Sequence, residues 1–328
     1  MTSNGNPAIE VRGLAKRFGP VRAVAGVDFE VREGELFGFL GPNGAGKTTT
    51  ITLLVGLARS DEGTVRITGI DCTRRPKDAQ HLLGVVPDES NLYPELTGFA
   101  NLCFCAALYG MRKRERRARA QELLERFGLA EAGDRRFGGY SRGMKRACTI
   151  AAGIVHRPKI LFLDEPTTGL DVAAARQIRA LIADLKRTGT TIFLTTHYIE
   201  EAERLCGRVA FIVAGRIVRT DTVRNLMQPV EGRHVVEFTV NGPAESVMKD
   251  LQSAFRDLEA EPLGDDRIRF SSARPVRIGL LVRFLEDRGL EVGEARKVRP
   301  TLEEVFVEVT GIEASAMQRD KEKTGAGP

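Results

Sequence analysis

The run Gly41-Pro42-Asn43-Gly44-Ala45-Gly46-Lys47-Thr48 fits the pattern G-x-x-x-x-G-K-[ST]. Glycines let successive backbone N–H groups turn toward one anion, and a helix opening behind them adds its positive end. In such a loop the Lys47 ammonium reaches the β- and γ-phosphates of a nucleotide, and the Thr48 hydroxyl ligates Mg²⁺. Residues 41–48 and the adjoining Thr49 are therefore the expected phosphate contacts. A second candidate is Ile160-Leu-Phe-Leu163-Asp164-Glu165, an apolar run that ends in two carboxylates. A buried strand would deliver Asp164 rigidly to the Mg²⁺ region and place Glu165 to take a proton from an attacking water. A third is Tyr140-Ser141-Arg142-Gly143-Met144-Lys145. Taken alone, Ser-x-Gly is a common helix start, and its interest lies in standing 24 residues before Glu165.

These groups need a rigid frame, and the hydrophobic pattern supplies one. Glu35–Leu40 reads as a buried strand that runs straight into the glycine loop and a helix from about Gly46. Before it, Ile9–Glu35 alternates short apolar segments with Gly and charged residues, a strand-and-turn pattern. Gly63–Ile70 and Leu82–Pro87 read as further strands, and 94–153 as helical, with two charged helices around Arg112–Phe127. Ile178, Leu181, Ile182 and Leu185 form one helix stripe within Ala173–Arg187, between the apolar runs Lys159–Leu163 and Thr191–Thr195. Strand, helix, strand at that length predicts a parallel sheet with a crossover helix. Arg208–Val213 and Ile217–Asp221 read as a hairpin. Beyond Gln228-Pro-Val-Glu-Gly232 the order becomes strand (His234–Val240), helix (Ala244–Leu258), strand (Arg267–Ser271), helix (Val276–Arg288), strand (Glu291–Lys297), helix (Thr301–Val309).

Composition narrows the function classes. The 328 residues suit about two domains, and 42% hydrophobic with 28% charged residues excludes a wholly disordered chain. No apolar stretch reaches the roughly 18–20 residues of a membrane-spanning helix, and Met1–Pro7 lacks the apolar core of a signal peptide, so a cytosolic chain is expected. Five irregularly spaced cysteines fit a reducing compartment, with Cys103 and Cys105 read as buried thiols. Four scattered histidines suggest no zinc site. The net charge of +5 is uneven. Residues 1–230 carry 34 Lys and Arg against 25 Asp and Glu, and residues 231–328 carry 15 against 19. Much of the excess is Arg112–Arg119, a solvated helix face first and a nucleic-acid or lipid surface second.

With its three motifs in this order across residues 9–225, the chain resembles the ATP-binding subunit of ABC transporters. The resemblance implies a P-loop NTPase of α/β class: a RecA-like core with an antiparallel β subdomain and a helical subdomain, here about 94–155. It implies domains at 1–228 and 229–312, the latter a small C-terminal α/β module, and composition makes 313–328 a disordered tail. It implies ATP with Mg²⁺ as ligands, and a homodimer in which Ser141 and Gly143 of one copy contact the γ-phosphate held by the other. Phe18 stands where an aromatic ring stacks on adenine, Gly169-Leu170-Asp171 where a loop crosses the dimer interface, and His197 where a histidine meets the γ-phosphate and the attacking water. Asp88 replaces the usual Gln and could still approach Mg²⁺; Arg142 and Met144 replace a Gly and a Gln of the signature.

The tail Pro300–Gly311 is similar to ATPase subunits of bacterial daunorubicin and multidrug exporters. The implied protein hydrolyses ATP and docks on separately encoded integral membrane permease subunits, peripheral on the inner face of the cell membrane. No nucleic acid is expected. The alternative is a nucleic-acid- or ribosome-associated ABC ATPase, which rests on Arg112–Arg119 alone.

Overall fold

The structure, a computed structural model, describes residues 7–231, 234–255, 257–298 and 301–312. The stretch 313–328, expected to be a tail, lies outside them. The chain forms two compact units, the first running to Val223 and the second spanning Arg224–Glu308.

The first unit opens with strands β1 (Ile9–Phe18), β2 (Val21–Val31) and β3 (Leu36–Leu40), then helix α1 (Lys47–Leu54). Strands β4 (Glu62–Ile67) and β5 (Ile70–Asp71), helix α2 (Pro76–Gln80) and strand β6 (Leu83–Val86) follow. A helical stretch comes next: α3 (Gly98–Leu108), α4 (Lys113–Arg126) and α5 (Arg142–Gly153). The unit closes with β7 (Ile160–Asp164), α6 (Val172–Arg187), β8 (Thr191–Thr196), α7 (Ile199–Leu205), β9 (Arg208–Val213) and β10 (Arg216–Thr222); α8 (Val223–Glu231) continues the chain.

Six strands form one sheet in the order β10-β9-β3-β8-β7-β6, in which β9, β3, β8, β7 and β6 run parallel and β10 pairs antiparallel. Every residue of β3, β7 and β8 is buried, as expected for a sheet covered on both faces. The predicted β7–α6–β8 crossover is present, and Asp171 caps α6 by accepting from Ala174 N at 2.8 Å. A second, antiparallel sheet has the order β2-β1-β4-β5. One apolar core joins the two sheets and α1, with Phe29, Phe37, Phe39, Phe162 and Phe193 in mutual ring contact. That dense aromatic floor fixes the strand ends from which the candidate site projects.

Two expectations need correction, and one helix goes unmarked. The two charged helices around Arg112–Phe127 are one helix, α4. Cys103 and Cys105 are half-buried rather than buried, although burial still raises both thiol pKa values. The apolar pattern does not mark the short helix α2, which begins at Pro76, a residue suited to a first helical turn.

The second unit contains β11 (His234–Asn241), α9 (Met248–Ala254), β12 (Glu259–Pro262), β13 (Arg267–Ser272), α10 (Ile278–Glu286), β14 (Glu291–Val298) and α11 (Leu302–Thr310). Its sheet order β12-β13-β11-β14 is antiparallel throughout. The βαββαβ succession with that order is the ferredoxin-like arrangement. Sequence patterning misses β12, because Glu-Ala-Glu-Pro offers no apolar alternation. It also reads one helix over Ala244–Leu258, where the chain makes a 3₁₀ turn and the shorter α9.

Candidate nucleotide site

The loop between β3 and α1 is built by tight packing. A Cβ at Gly41 would lie 2.1 Å from the Ile212 carbonyl oxygen, and one at Gly46 would lie 2.2 Å from that of Ala23. Gly46 also has φ 102°, a backbone region that L side chains rarely adopt, and from there the chain enters α1. Ala45 N donates to Pro42 O at 3.2 Å, closing the turn. Pro42 and Asn43 are half-buried and Gly44 is exposed, while Thr48 is exposed and Thr49 half-buried at the start of α1.

Lys47 is 6% exposed, and its Nζ donates to Gly41 O at 2.7 Å and Pro42 O at 3.1 Å. The same Nζ lies 3.1 Å from Glu165 Oε1, an ion contact not aligned as a hydrogen bond. Glu165 Oε2 accepts from Thr168 Oγ1 at 3.1 Å, from His197 N at 3.3 Å and from the His197 ring Nδ1 at 2.7 Å. A carboxylate offers only acceptors, so Nδ1 is the donor in this bond. Burial pushes the Glu165 carboxyl up, but the His197 hydrogen bond and the Lys47 charge outweigh it and hold its pKa down at about 2. Glu165 also sits at φ 49°, a conformation few non-glycine residues take. Its backbone N–H donates to Thr195 O at 3.1 Å, which anchors the strained turn to β8.

Asp164, 4% exposed at the end of β7, accepts from Thr195 Oγ1 at 2.5 Å. Burial raises its pKa, against the Thr195 and Thr48 hydroxyls, while the Glu165 and Asp88 charges add to the rise. The groups acting on Asp164 are thus hydroxyls and other carboxylates, a setting that suits a cation. Among the described residues no three or more His, Cys, Asp or Glu side chains cluster as a metal centre. Thr48 and Asp164 could instead share Mg²⁺ with phosphate oxygens, the usual mode for that ion.

The structure therefore brings Lys47, Thr48, Asp164, Glu165 and His197 together. Asp88 lies on the loop after β6, with its carboxylate 3.6 Å from Arg146. Phe18 ends β1 with 54% of its surface exposed and Lys16 Nζ 5.5 Å from its ring centre, so it is no core residue. Ser141 caps α5 by accepting from Met144 N at 3.2 Å, and both Ser141 and Arg142 are exposed. A Cβ at Gly143 would meet the Ala174 Cβ at 2.8 Å, so this glycine permits α5 to pack on α6. Arg142 Nη1 donates to Gly169 O at 3.3 Å, linking the signature to the loop before α6. Sequence reasoning overlooks Arg146, which is buried on α5, and Thr195, whose hydroxyl serves Asp164. Only the paired geometry of β7 and β8 reveals the latter.

Comparison with known proteins agrees with this geometry. The ABC transporter domain family matches residues 24–168. The daunorubicin resistance ATP-binding protein DrrA2 of Streptomyces coeruleorubidus is 37% identical, covering 93% of this chain and 95% of its own length. The linearmycin resistance ATP-binding protein LnrL of Bacillus subtilis is 33% identical, covering 92% and 98%. The Nod factor export ATP-binding protein I of Burkholderia lata is 38% identical, covering 93% and 97%. Among solved structures, an ATP-binding subunit of an ABC transporter superposes with a TM-score of 0.61 at 29% identity, covering 68% of this chain and 92% of its own. A dimeric post-hydrolysis cassette bound to ADP and Pi gives 0.61 at 26%, covering 66% and 99%. With the phosphate loop, paired carboxylates and histidine in one place, the chain is an ATPase that belongs to the ATP-binding subunits of ABC transporters.

Proposed function

We propose that this chain energises an exporter, with two copies closing head to tail around ATP and driving a separately encoded membrane permease. The observation that carries the reading is the Lys47–Glu165–His197 constellation beside Asp164. Lys47 grips the β- and γ-phosphates. Thr48 and Asp164 would hold Mg²⁺, which would supply charge neutralisation at the transferring group. Once Lys47 turns to phosphate, Glu165 loses one of the groups that hold its pKa down and becomes a stronger base toward water. His197 keeps the Glu165 carboxylate aimed through Nδ1 and presents Nε2 on its other side.

Ser141 and Gly143 complete the neighbour's site by presenting the capped N-terminus of α5 to its γ-phosphate, and Phe18 stacks on the adenine. The exposure of Ser141, Arg142 and Phe18 supports this division of labour. A groove of about 640 Å³ between the end of α1, β6 and the α3–α4 turn, lined by Val55, Leu57, Leu83, Val85, Leu108 and Tyr109, supports docking of an apolar permease segment. Among the described residues no helix is long and apolar enough to cross a membrane, which accords with a peripheral subunit on the inner face. The cargo class follows the relatives, which are named for drug resistance and export. Those relatives do not favour the nucleic-acid alternative. Within its basic run, Arg119 is spent on structure, donating to Val155 O and Ile154 O.

Lys47→Ala should abolish ATP binding and turnover, and membranes carrying the cognate permease should retain the wild-type protein. A Lys47→Ala protein that hydrolyses ATP at the parent rate would refute the site assignment; failure to bind permease membranes would refute the exporter role alone.

A further inference from the structure

The loop after β6 is tied to α5 at two points. Arg146, 8% exposed, donates from Nη1 to Pro87 O at 2.7 Å and from Nη2 to Asp88 O at 2.5 Å, with Asp88 Oδ1 3.6 Å from Nη2. One turn further along α5, Thr149 Oγ1 lies 2.8 Å from Ser90 Oγ. The Thr149 hydroxyl donates to Lys145 O, so Ser90 is the donor to Thr149. Residues 146 and 149 share a helix face, and both reach the loop. That loop carries an aspartate at the position where the resemblance leads one to expect a neutral amide.

We propose that Arg146 is a positioning residue of the nucleotide site: its guanidinium fixes the Asp88 carboxylate and offsets its charge, so that an acidic side chain can stand beside a triphosphate. The proposal rests on reading the phosphate loop as the ATP site. Burial pulls the Arg146 pKa down, and the fields of Asp88, Asp164, Glu165 and Glu201 oppose that pull. Arg146 thus offsets the charges of Asp88, Asp164, Glu165 and Glu201, as Lys47 offsets that of Glu165. Without Arg146 that offset is lost, and a polyanionic substrate meets stronger repulsion. The same arginine binds the loop backbone and projects from the helix capped by Ser141, so it ties the loop to the signature helix.

The test compares Arg146→Met, Asp88→Asn and the double variant in ATP hydrolysis, with KM and kcat resolved and the fold checked by circular dichroism. Arg146→Met should lower kcat/KM at least tenfold, mainly through KM. Adding Asp88→Asn should restore most of that loss, since a neutral amide needs no counter-charge. A purely structural Arg146 predicts no rescue, because the backbone bonds to Pro87 and Asp88 are missing from both variants; that outcome overturns the proposal. If Arg146→Met does not fold, Arg146→Lys takes its place. It keeps the counter-charge while giving up the forked backbone contact, so kcat/KM should stay within about threefold of the parent in a folded protein, and a loss of tenfold or more would overturn the proposal. Absence of ATP turnover in the wild-type protein would instead remove the ATP-site reading itself.

Discussion

Replacing Glu165 by Gln should separate nucleotide affinity from turnover. In the structure Glu165 competes for Lys47, whose ammonium must reach the phosphates. The depression of the Glu165 pKa from 4.5 to about 2 is worth about 3 kcal/mol, the net of burial, His197 and Lys47. Lys47 ranks below the His197 hydrogen bond among the groups that hold this carboxyl down. Glutamine keeps the shape and removes the charge. Lys47 is then released to phosphate, and the γ-phosphate no longer meets an anion. ATP should bind about tenfold more tightly, the equivalent of about 1.4 kcal/mol. Hydrolysis should fall roughly 10²–10⁴-fold with loss of the base.

The assay is fluorescence titration with an ATP analogue beside phosphate release. The same variant carries an acid-stability signature. A carboxyl whose folded pKa lies below its unfolded value stabilises the protein above the unfolded pKa and loses that contribution as pH falls through the folded one. Wild type should therefore lose stability between pH 4.5 and about 2, and Glu165→Gln should lack that component. Unchanged or weaker ATP affinity together with parent turnover would refute the reasoning.

Other expected outcomes follow from single contacts. Phe18→Ala should weaken ATP binding about tenfold through lost stacking, with an unchanged unfolding temperature because the ring is exposed; equal loss for ATP and inorganic triphosphate would exclude stacking. Gly143→Ala should cost about 1–3 kcal/mol in denaturant unfolding by crowding Ala174, and Ala174→Gly in the same chain should recover most of it. Burial holds the His156 pKa down at about 4, so the folded state resists the proton that the unfolded chain accepts, and stability should fall as pH drops from 6.5 to 4. His156→Phe, which keeps the stack on Tyr109, should flatten that slope in thermal melts across the same pH range.

Much of the site is legible in the sequence because its geometry demands residue types at fixed offsets. Gly41 and Gly46 cannot carry a Cβ against Ile212 and Ala23, and Lys47 must follow at the helix start. The apolar runs of β7 and β8 announce a doubly covered sheet, which sets Asp164 and His197 at neighbouring strand ends. Contacts between distant elements leave no such trace. The resemblance assigns Gly143 to phosphate, yet within one chain its lack of a side chain also serves Ala174. The tie from Arg146 to the Asp88 loop exists only once α5 lies beside β6. Strand β12 is held by pairing with β13 rather than by its own Glu-Ala-Glu-Pro, so no periodicity marks it. The length of α9 is equally hidden, because the chain before it turns 3₁₀.

Sedimentation of Glu165→Gln at saturating ATP and Mg²⁺ bears most directly on the claim that each copy completes its neighbour's site through Ser141 and Gly143. The account predicts a dimer that dissociates when nucleotide is removed and does not form with Ser141→Arg added. A folded, ATP-saturated Glu165→Gln protein that sediments as a monomer would contradict it.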